Sequence, residues 1–337
     1  MYGSAPRVSL LLPAFDAEKT LGAALESVRR QTEPRFECVI VDDGSRDETR
    51  NVARDFVRKD ERFSLLERDH EGVVATLNAG LVECRGRFVA RMDADDIMHP
   101  CRLAEQLELL GAEPGLAGVG CHVRVFPRSS LSDGLRAYES WLESIDSPAR
   151  VRAEAFVECP LAHPTLLVRR EVLDQFRYRD RGWPEDYDLI LRLLLAGHEL
   201  GVLDKPLLYW RDTPTRQMRT SPRCRSERIT ACKAAFLADS LLKNAERYLL
   251  WGYGGTGKAL SRALASCGKH PSFIVELHPG RIGQSIAGAR VIAPEELKSV
   301  PRHPLIVSVA GERARAVIRE QLCALGFREG RDYLCAA

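Results

Sequence analysis

RFVARMDADD, residues 87–96, is an apolar, strand-like run (Arg87–Met92) that stops abruptly on Asp93, Asp95 and Asp96. Carboxylates cannot follow Phe88, Val89 and Ala90 into a core, so they mark the solvent-facing end of the strand. The same arrangement stands earlier in VIVDDGSRDET (39–49), where strand Glu37–Val41 gives way to Asp42, Asp43, Gly44 and Ser45. A first strand, Val8–Leu12, runs into Pro13, Ala14, Phe15, Asp16, Ala17 and Glu18. Between these strands lie stretches of helical spacing at 17–31, 48–59, 73–82 and 102–110, with a further strand at Phe63–Glu67. That rhythm predicts an α/β fold with a mainly parallel sheet and helices on both faces. Such sheets hold ligands at the carboxyl ends of their strands, so the residues just past each strand are the first candidates for a site.

Five carboxylates, Asp42, Asp43, Asp93, Asp95 and Asp96, then stand at neighbouring strand ends. Like charges so placed repel unless a cation or a donor-rich ligand sits among them. Hard divalent cations such as Mg²⁺ or Mn²⁺ take carboxylate oxygens and bridge them to substrate phosphates. Taken alone, Asp42-Asp43-Gly44-Ser45 also reads as a turn that caps the next helix. The second acidic cluster favours the ligand.

Val8 to Arg102 resembles the opening of family 2 glycosyltransferases of the GT-A fold, the fold of nucleotide-diphospho-sugar transferases. The matching pieces are PAF-x-A-E at 13–18, VIVDDGSRDET, EGVVATLNAGL (71–81), the DxD motif within RFVARMDADDIMHPCRL (87–103), and EDYDL at 185–189. The resemblance spans about residues 1–220 and implies a metal-dependent, inverting transfer from a nucleotide-sugar donor, expected to be a UDP-sugar, to a glycan or lipid-linked acceptor. By the same resemblance Pro13, Ala14, Phe15 and Glu18 border the donor, and Phe15 lies against its base where the family commonly has tyrosine. Asp42 or Asp43 accepts from the base, Asp93 addresses the ribose, and Asp95 coordinates Mn²⁺ or Mg²⁺. Asp186 is the expected base on the acceptor hydroxyl, with Glu185 beside it. The acids at 185–188 would also suit a helix N-terminus without any catalysis. His163, in a segment resembling the family's H-P-S/T, is read either as an acceptor contact or as a structural hydrogen-bonder. Trp141, with Tyr138 one helical turn away, is either a sugar platform or a buried pair. Arg211, in a stretch reaching Pro214 and Arg216, is a candidate for the donor phosphates or for a solvated basic face against anionic headgroups.

The remaining chain reads as three parts: a transferase domain over 1–225, a helical linker over 226–246, and a small Rossmann-like domain over 247–337. In the last, Gly252-x-Gly254-x-x-Gly257 follows a strand and opens a helix, and Glu276 follows the next strand. That fits a dinucleotide fingerprint, although packing or homodimerisation is the favoured reading of the unit. Ala259 stands where a P-loop needs a hydroxyl, which excludes that reading. The 49 basic and 47 acidic residues leave no field that would call for nucleic acid. No run reaches the length of a membrane span, and ten cysteines without CxxC spacing suit a reducing compartment, so the expected location is cytoplasmic, with peripheral contact at the inner membrane face left open. A sugar nucleotidyltransferase would carry a glycine-rich loop where Pro13-Ala14-Phe15 stands; a non-catalytic carbohydrate-binding relative would not need both DxD and Asp186.

Overall fold

The structure, a computed structural model, describes residues 5–213 and 221–337. Pro214 and Arg216 therefore lie outside the described residues. Two compact units emerge. The first takes in Met1–Val151, Pro160–Arg181 and Glu185–Arg216; the second takes in Arg152–Cys159, Gly182–Pro184 and Gln217–Ala337.

The first unit is built on eight strands: β1 Val8–Ala14, β2 Phe36–Asp42, β3 Phe63–Glu67, β4 Phe88–Arg91, β5 Ile97–Met98, β6 Leu116–Phe126, β7 Leu167–Arg169 and β8 Glu199–Arg211. Their order is β3-β2-β1-β4-β7-β6-β8-β5. β1, β2, β3 and β4 pair in parallel, and so do β6 and β8. The fold is the expected α/β arrangement with a mostly parallel sheet. β7 departs from it: inserted between β4 and β6, it runs antiparallel to both.

Helices α1 Leu21–Arg29, α2 Thr49–Lys59, α3 Val73–Glu83 and α4 Arg102–Ala112 connect or follow these strands. β2 is buried end to end, as befits a parallel strand covered on both faces. α3 approaches so closely that a Cβ on Gly80 would sit 2.4 Å from Leu11 Cδ1 and 2.6 Å from Val41 Cγ2. Glycine at this position lets the helix backbone rest on the Leu11 and Val41 side chains of β1 and β2 without displacing them. Further along the chain lie α5 Asp133–Glu143, α6 Pro148–Glu154, α7 Arg170–Phe176 and α8 Glu185–Leu195.

Between β1 and β4 the chain reverses the direction in which it lays down strands: β2 goes to one side of β1 and β4 to the other. The loops at the carboxyl ends of these two strands diverge there and leave a crevice. It is bordered by Pro13-Ala14-Phe15 and by Asp93–Asp96.

The second unit has its own sheet, with strands β9 Arg247–Trp251, β10 His270–Val275, β11 Ser285–Ile286, β12 Ala289–Ile292, β13 Leu305–Val307 and β14 Tyr333–Cys335. The order is β11-β12-β10-β9-β13-β14, parallel throughout except for the β11–β12 hairpin. Its core gathers Leu249, Trp251, Val275, Ile292, Leu305, Val307, Ile318 and Leu322. The helix expected as a linker, Ser226–Asp239, groups with this unit, as do 152–159 and 182–184. Chemistry explains the attachment of 152–159. Glu154, fully buried, faces Arg315 Nη2 at 3.2 Å and Arg319 Nη1 at 2.9 Å, and Lys233 Nζ donates to Val157 O at 2.6 Å. Among the described residues no helix is long and apolar enough to cross a membrane.

Because Arg315 is itself buried, Glu154→Ala strands a guanidinium away from water. Breaking such a pair costs about 3–5 kcal/mol. The variant should melt well below the wild type in a calorimetric scan, and a melting temperature within a degree of wild type would contradict this account of the attachment.

Candidate active site

The loops after β1 and β2 are laced together by the backbone. Asp43 N donates to Ala14 O at 2.9 Å, Asp16 N to Ser45 Oγ at 3.0 Å, Arg46 N to Asp16 Oδ1 at 2.8 Å, and Ala17 N to Thr49 Oγ1 at 2.7 Å. Asp16 holds φ +45°, a left-handed conformation that acidic side chains tolerate better than most. Glu18 is exposed, and its Oε2 accepts from Glu48 N at 3.1 Å, so it helps fasten the two loops.

Asp42 and Asp43 are both buried. Asp42 Oδ2 accepts from Arg50 Nε at 2.6 Å and Ser45 N at 3.2 Å, while its Oδ1 is buried without a hydrogen-bond partner. Asp43 accepts from Glu71 N and Gly72 N, each at 3.0 Å, and His70 Nδ1 lies 2.9 Å from its Oδ2. Asp43 thus braces the loop after β3 against the loop after β2, while Asp42 ties its own loop to α2. His70 also stacks on Phe15, centroids 4.3 Å apart and planes inclined by 27°. The pair forms an exposed aromatic surface at one edge of the crevice. His70 and Arg50 were missed in the sequence. His70 had a signal, since it lies just past β3, where the strand-end argument directs attention.

Across the crevice, one carboxylate oxygen from each of Asp93, Asp95 and Asp96 lies within 4.8 Å of the other two. Asp93 and Asp95 are half-buried and Asp96 is buried. Two anchors hold this loop. Arg91, at the end of β4 and 6% exposed, donates from Nη2 to Asp93 Oδ1 at 2.6 Å and from Nη1 to Met92 O. Arg211, at the end of β8, donates from its backbone N to Asp96 Oδ1 at 2.8 Å and from Nε to Asp95 O at 2.6 Å. Arg211 therefore supports the DxD loop from below. Three hard oxygen donors converging in partial exposure suit Mg²⁺ or Mn²⁺, and the mutual repulsion of the three acids favours a cation there.

α8 begins at Glu185, and Asp186 Oδ1 accepts from Tyr187 N at 2.7 Å. Burial pushes the Asp186 carboxyl above the usual aspartate range; the Tyr187 N–H and the Arg91 charge oppose it, and the neighbouring Asp93 reinforces it. Asp186, Arg91 and Asp93 therefore share one electrostatic neighbourhood. His163 is buried in the same region, with Nε2 3.0 Å from Tyr178 Oη and Nδ1 4.0 Å from Glu185. Burial, aided by the Arg91 charge, holds its imidazole well below the ordinary histidine value, so it is neutral at working pH. Burial likewise raises the Tyr178 phenol, which stays protonated. Asn78 fixes Tyr178 from α3 by donating to its carbonyl and accepting from its N–H, each at 3.0 Å.

Trp141 is half-buried. It stacks on Tyr138 at 5.6 Å and 21°, Tyr138 meets Trp210 at 6.2 Å, and both Trp141 and Tyr138 pack on the core of the first unit.

The family model for glycosyl transferase family 2 matches residues 9–177. The chain belongs to that family. EpsE of Bacillus subtilis (strain 168), named as a glycosyltransferase, is 29% identical over 200 residues, 58% of this chain and 69% of EpsE. EpsH of the same organism, similarly named, is 35% identical over 111 residues, which span only about a third of each chain (33% and 32%). The Escherichia coli UDP-Glc:alpha-D-GlcNAc-diphosphoundecaprenol beta-1,3-glucosyltransferase WfgD is 35% identical over 104 residues, 31% of this chain and 40% of WfgD. Among solved structures, S. aureus TarS 1-349 in complex with UDP-GlcNAc aligns with TM-score 0.56 at 17% identity, covering 77% of this chain and 71% of its own. The mannosyltransferase PcManGT of Pyrobaculum calidifontis, in complex with GDP-Man and Mn²⁺, aligns with TM-score 0.54 at 15% identity over 96% of this chain and 82% of its own. These neighbours are GT-A glycosyltransferases, and the likeness establishes the fold.

The neutral His163 carries a pH consequence. Its folded pKa lies below its unfolded value, so below about pH 6.5 the unfolded chain binds a proton that the folded chain refuses. This contribution is complete above that pH and is lost as pH falls, by at most about 1.4 kcal/mol per pH unit. His163→Gln should flatten the fall in melting temperature between about pH 7 and pH 5. An unchanged slope would show that another group sets it.

Proposed function

We propose that the first unit transfers a sugar, with inversion, from a UDP-sugar to a hydroxyl of a glycan or lipid-linked acceptor in cell-surface polysaccharide assembly. The observation that carries the reading is the convergence of Asp93, Asp95 and Asp96 in the crevice between β1 and β4, with Asp186 sharing the field of Arg91 and Asp93. A UDP-sugar and a lipid-diphosphate acceptor are named for WfgD, UDP-GlcNAc is bound in TarS, and GDP-Man with Mn²⁺ is bound in PcManGT. These support a nucleotide-sugar donor and a metal, and the WfgD and TarS names favour uridine.

In this reading the Phe15–His70 surface takes the base, the loops after β1 and β2 frame it, and Asp93 addresses the ribose. Asp95 holds Mn²⁺ or Mg²⁺, with Asp93 and Asp96 around it. Such an ion supplies charge stabilisation to the departing nucleoside diphosphate. Asp186 takes the proton of the acceptor hydroxyl as that oxygen forms its bond to the anomeric carbon and the bond to the diphosphate breaks. One displacement inverts the configuration, and no second nucleophile is needed. Arg91 keeps Asp93 and Asp186 from repelling one another, and the neutral His163–Tyr178 pair packs the floor beside Glu185 without adding charge.

Asp95→Ala should abolish Mn²⁺-dependent UDP binding in titration calorimetry and leave the melting temperature near wild type, because Asp95 is a half-buried loop residue. Metal-dependent affinity that survives the substitution would refute the assignment.

Asp186→Asn keeps size and polarity but removes the proton acceptor. Transfer should fall by about 10²–10⁴-fold while donor affinity stays nearly constant. In the wild type, kcat/KM should fall on acidification with a midpoint above the ordinary aspartate value of about 4, since burial raises this carboxyl. Near-wild-type transfer by the variant would point to Glu185 or Asp188.

A further inference from the structure

We propose that the second unit carries its own binding site for a nucleoside diphosphate, at the carboxyl ends of β9 and β13. This inference is independent of the donor site in the first unit.

Counted along the unit, the parallel strands β9, β10, β12, β13 and β14 lie in the order 3-2-1-4-5. The reversal falls between β9 and β13, where the loops leaving the two strands part and open a crevice. From β9 the chain enters that crevice as Gly252-Tyr253-Gly254 and then forms helix Gly255–Ser266. Gly252 sits at φ +91°, and a Cβ on it would come within 2.9 Å of Ser308 O and 2.6 Å of Val309 Cγ2. A Cβ on Gly257 would meet Gly252 O at 2.2 Å. Glycine at both positions is therefore obligatory for the tight turn and for the close approach of the helix to the strand.

Packing alone would account for those two glycines. It does not account for Ser308. This residue directly follows β13 and its backbone N donates to Trp251 O at 2.8 Å, which places it beside the glycine loop. It is 5% exposed, yet its Oγ has no hydrogen-bond partner. A buried hydroxyl left unpaired costs roughly 1–3 kcal/mol, so a native structure ordinarily supplies a partner. The Oγ lies 3.4 Å from the point where a Gly257 Cβ would stand, and thus faces the first turn of the helix.

That turn offers the complementary groups. The first helical bond runs from Lys258 N to Gly254 O at 2.9 Å, so the N–H groups of Gly255, Thr256 and Gly257 precede the ladder. Gly254, Gly255 and Thr256 are exposed, and the first turn carries no acid. Three forward-pointing N–H groups at the positive end of a twelve-residue helix, with a buried hydroxyl at their side, form a cradle for phosphate oxygens.

A second group fixes the class of ligand. Glu276, one residue past β10, accepts from Tyr253 N at 2.8 Å and from Arg281 Nη1 at 3.2 Å. It is thereby held at the rim of the same loop, where a carboxylate can take ribose hydroxyls. Phosphate at the helix and ribose at the acid describe a nucleotide. One glycine loop at one helix N-terminus, with one carboxylate at its rim, has room for one phosphate group and one ribose, which suits a nucleoside diphosphate.

The test uses the full-length protein in EDTA, which suppresses metal-dependent binding, and titrates ADP, UDP and GDP by calorimetry. Thr256→Glu puts a carboxylate in the phosphate cradle, and an acid in a first helical turn favours the helix, so the unit should stay folded. At least one nucleotide should bind with unit stoichiometry. Thr256→Glu should weaken it by about tenfold or more, and Ser308→Ala by about threefold to tenfold, the worth of one hydrogen bond. No binding of any of the three up to about 5 mM, the weak end of recognition, overturns the proposal. Equal affinity in Thr256→Glu, with an unchanged melting temperature, also overturns it, because the nucleotide would then be bound elsewhere.

Discussion

The buried guanidinium of Arg91 is what allows an acidic crevice to exist in the first unit. It stands at the end of β4 with almost no exposure and is anchored to Asp93 and to the Met92 carbonyl. Its charge reaches His163, Tyr178 and Asp186, pulling the imidazole and phenol down and opposing the burial that raises the Asp186 carboxyl. Behind it Arg102, wholly buried, donates to Arg91 O and Leu166 O at 3.0 and 3.4 Å, and burial pushes its pKa down to about 10. Arg102 thus ties β4 to the segment that leads into β7. An acidic DxD loop, the Asp186 carboxylate and a neutral histidine can share one small volume because this cation is fixed among them. A lysine could not reproduce the arrangement, since it lacks the planar fork that reaches Asp93 and Met92 O together.

The parallel half of the sheet was legible because its strands obey a simple rule. β1, β2 and β4 are short and apolar, and β2 and β4 give way at once to acids, so the pattern fixes both the element and the end that faces ligand. β6 and β8, the longest strands, went unrecognised for physical reasons. β6 carries Gly118 and Gly120 and is buried on both faces, so it shows neither alternation nor a β-branched run. β8 is interrupted by Asp204-Lys205-Pro206, where its register against β6 shifts. β7 has only three residues and draws its place from neighbours rather than from its own sequence.

The candidate site divides in the same manner. Asp93, Asp95 and Asp186 announce themselves by type and position, because a carboxylate at a strand or helix end needs a reason. Supporting residues do not. Asn78 lies in the middle of α3 and acts on Tyr178, one hundred residues away, through backbone bonds that no local pattern encodes. Arg211 looks in sequence like one more basic residue, and its role under Asp95 and Asp96 depends on β5 and β8 pairing beside the DxD loop. Trp141 shows the converse. Its helical spacing from Tyr138 is compatible with a sugar platform, yet the spacing cannot reveal that Tyr138 also meets Trp210 and that the half-buried pair packs on the core.

Both units place their candidate ligand groups at a point where the order of strands reverses, and the contrast between them is one of charge. In the first unit the loops at that point present carboxylates, so a diphosphate can be held there only through a cation. In the second, the corresponding loops present glycines, backbone N–H groups and a hydroxyl, which meet a phosphate directly. Under the proposed reading, the first arrangement would make nucleotide affinity depend on metal, as would suit an enzyme that releases a nucleoside diphosphate after each transfer. The second, if it takes a nucleotide as proposed, would depend on geometry alone, because three N–H groups and Ser308 Oγ need no ion to complete them. If both proposals hold, the same topological rule yields two nucleotide crevices with opposite responses to chelation.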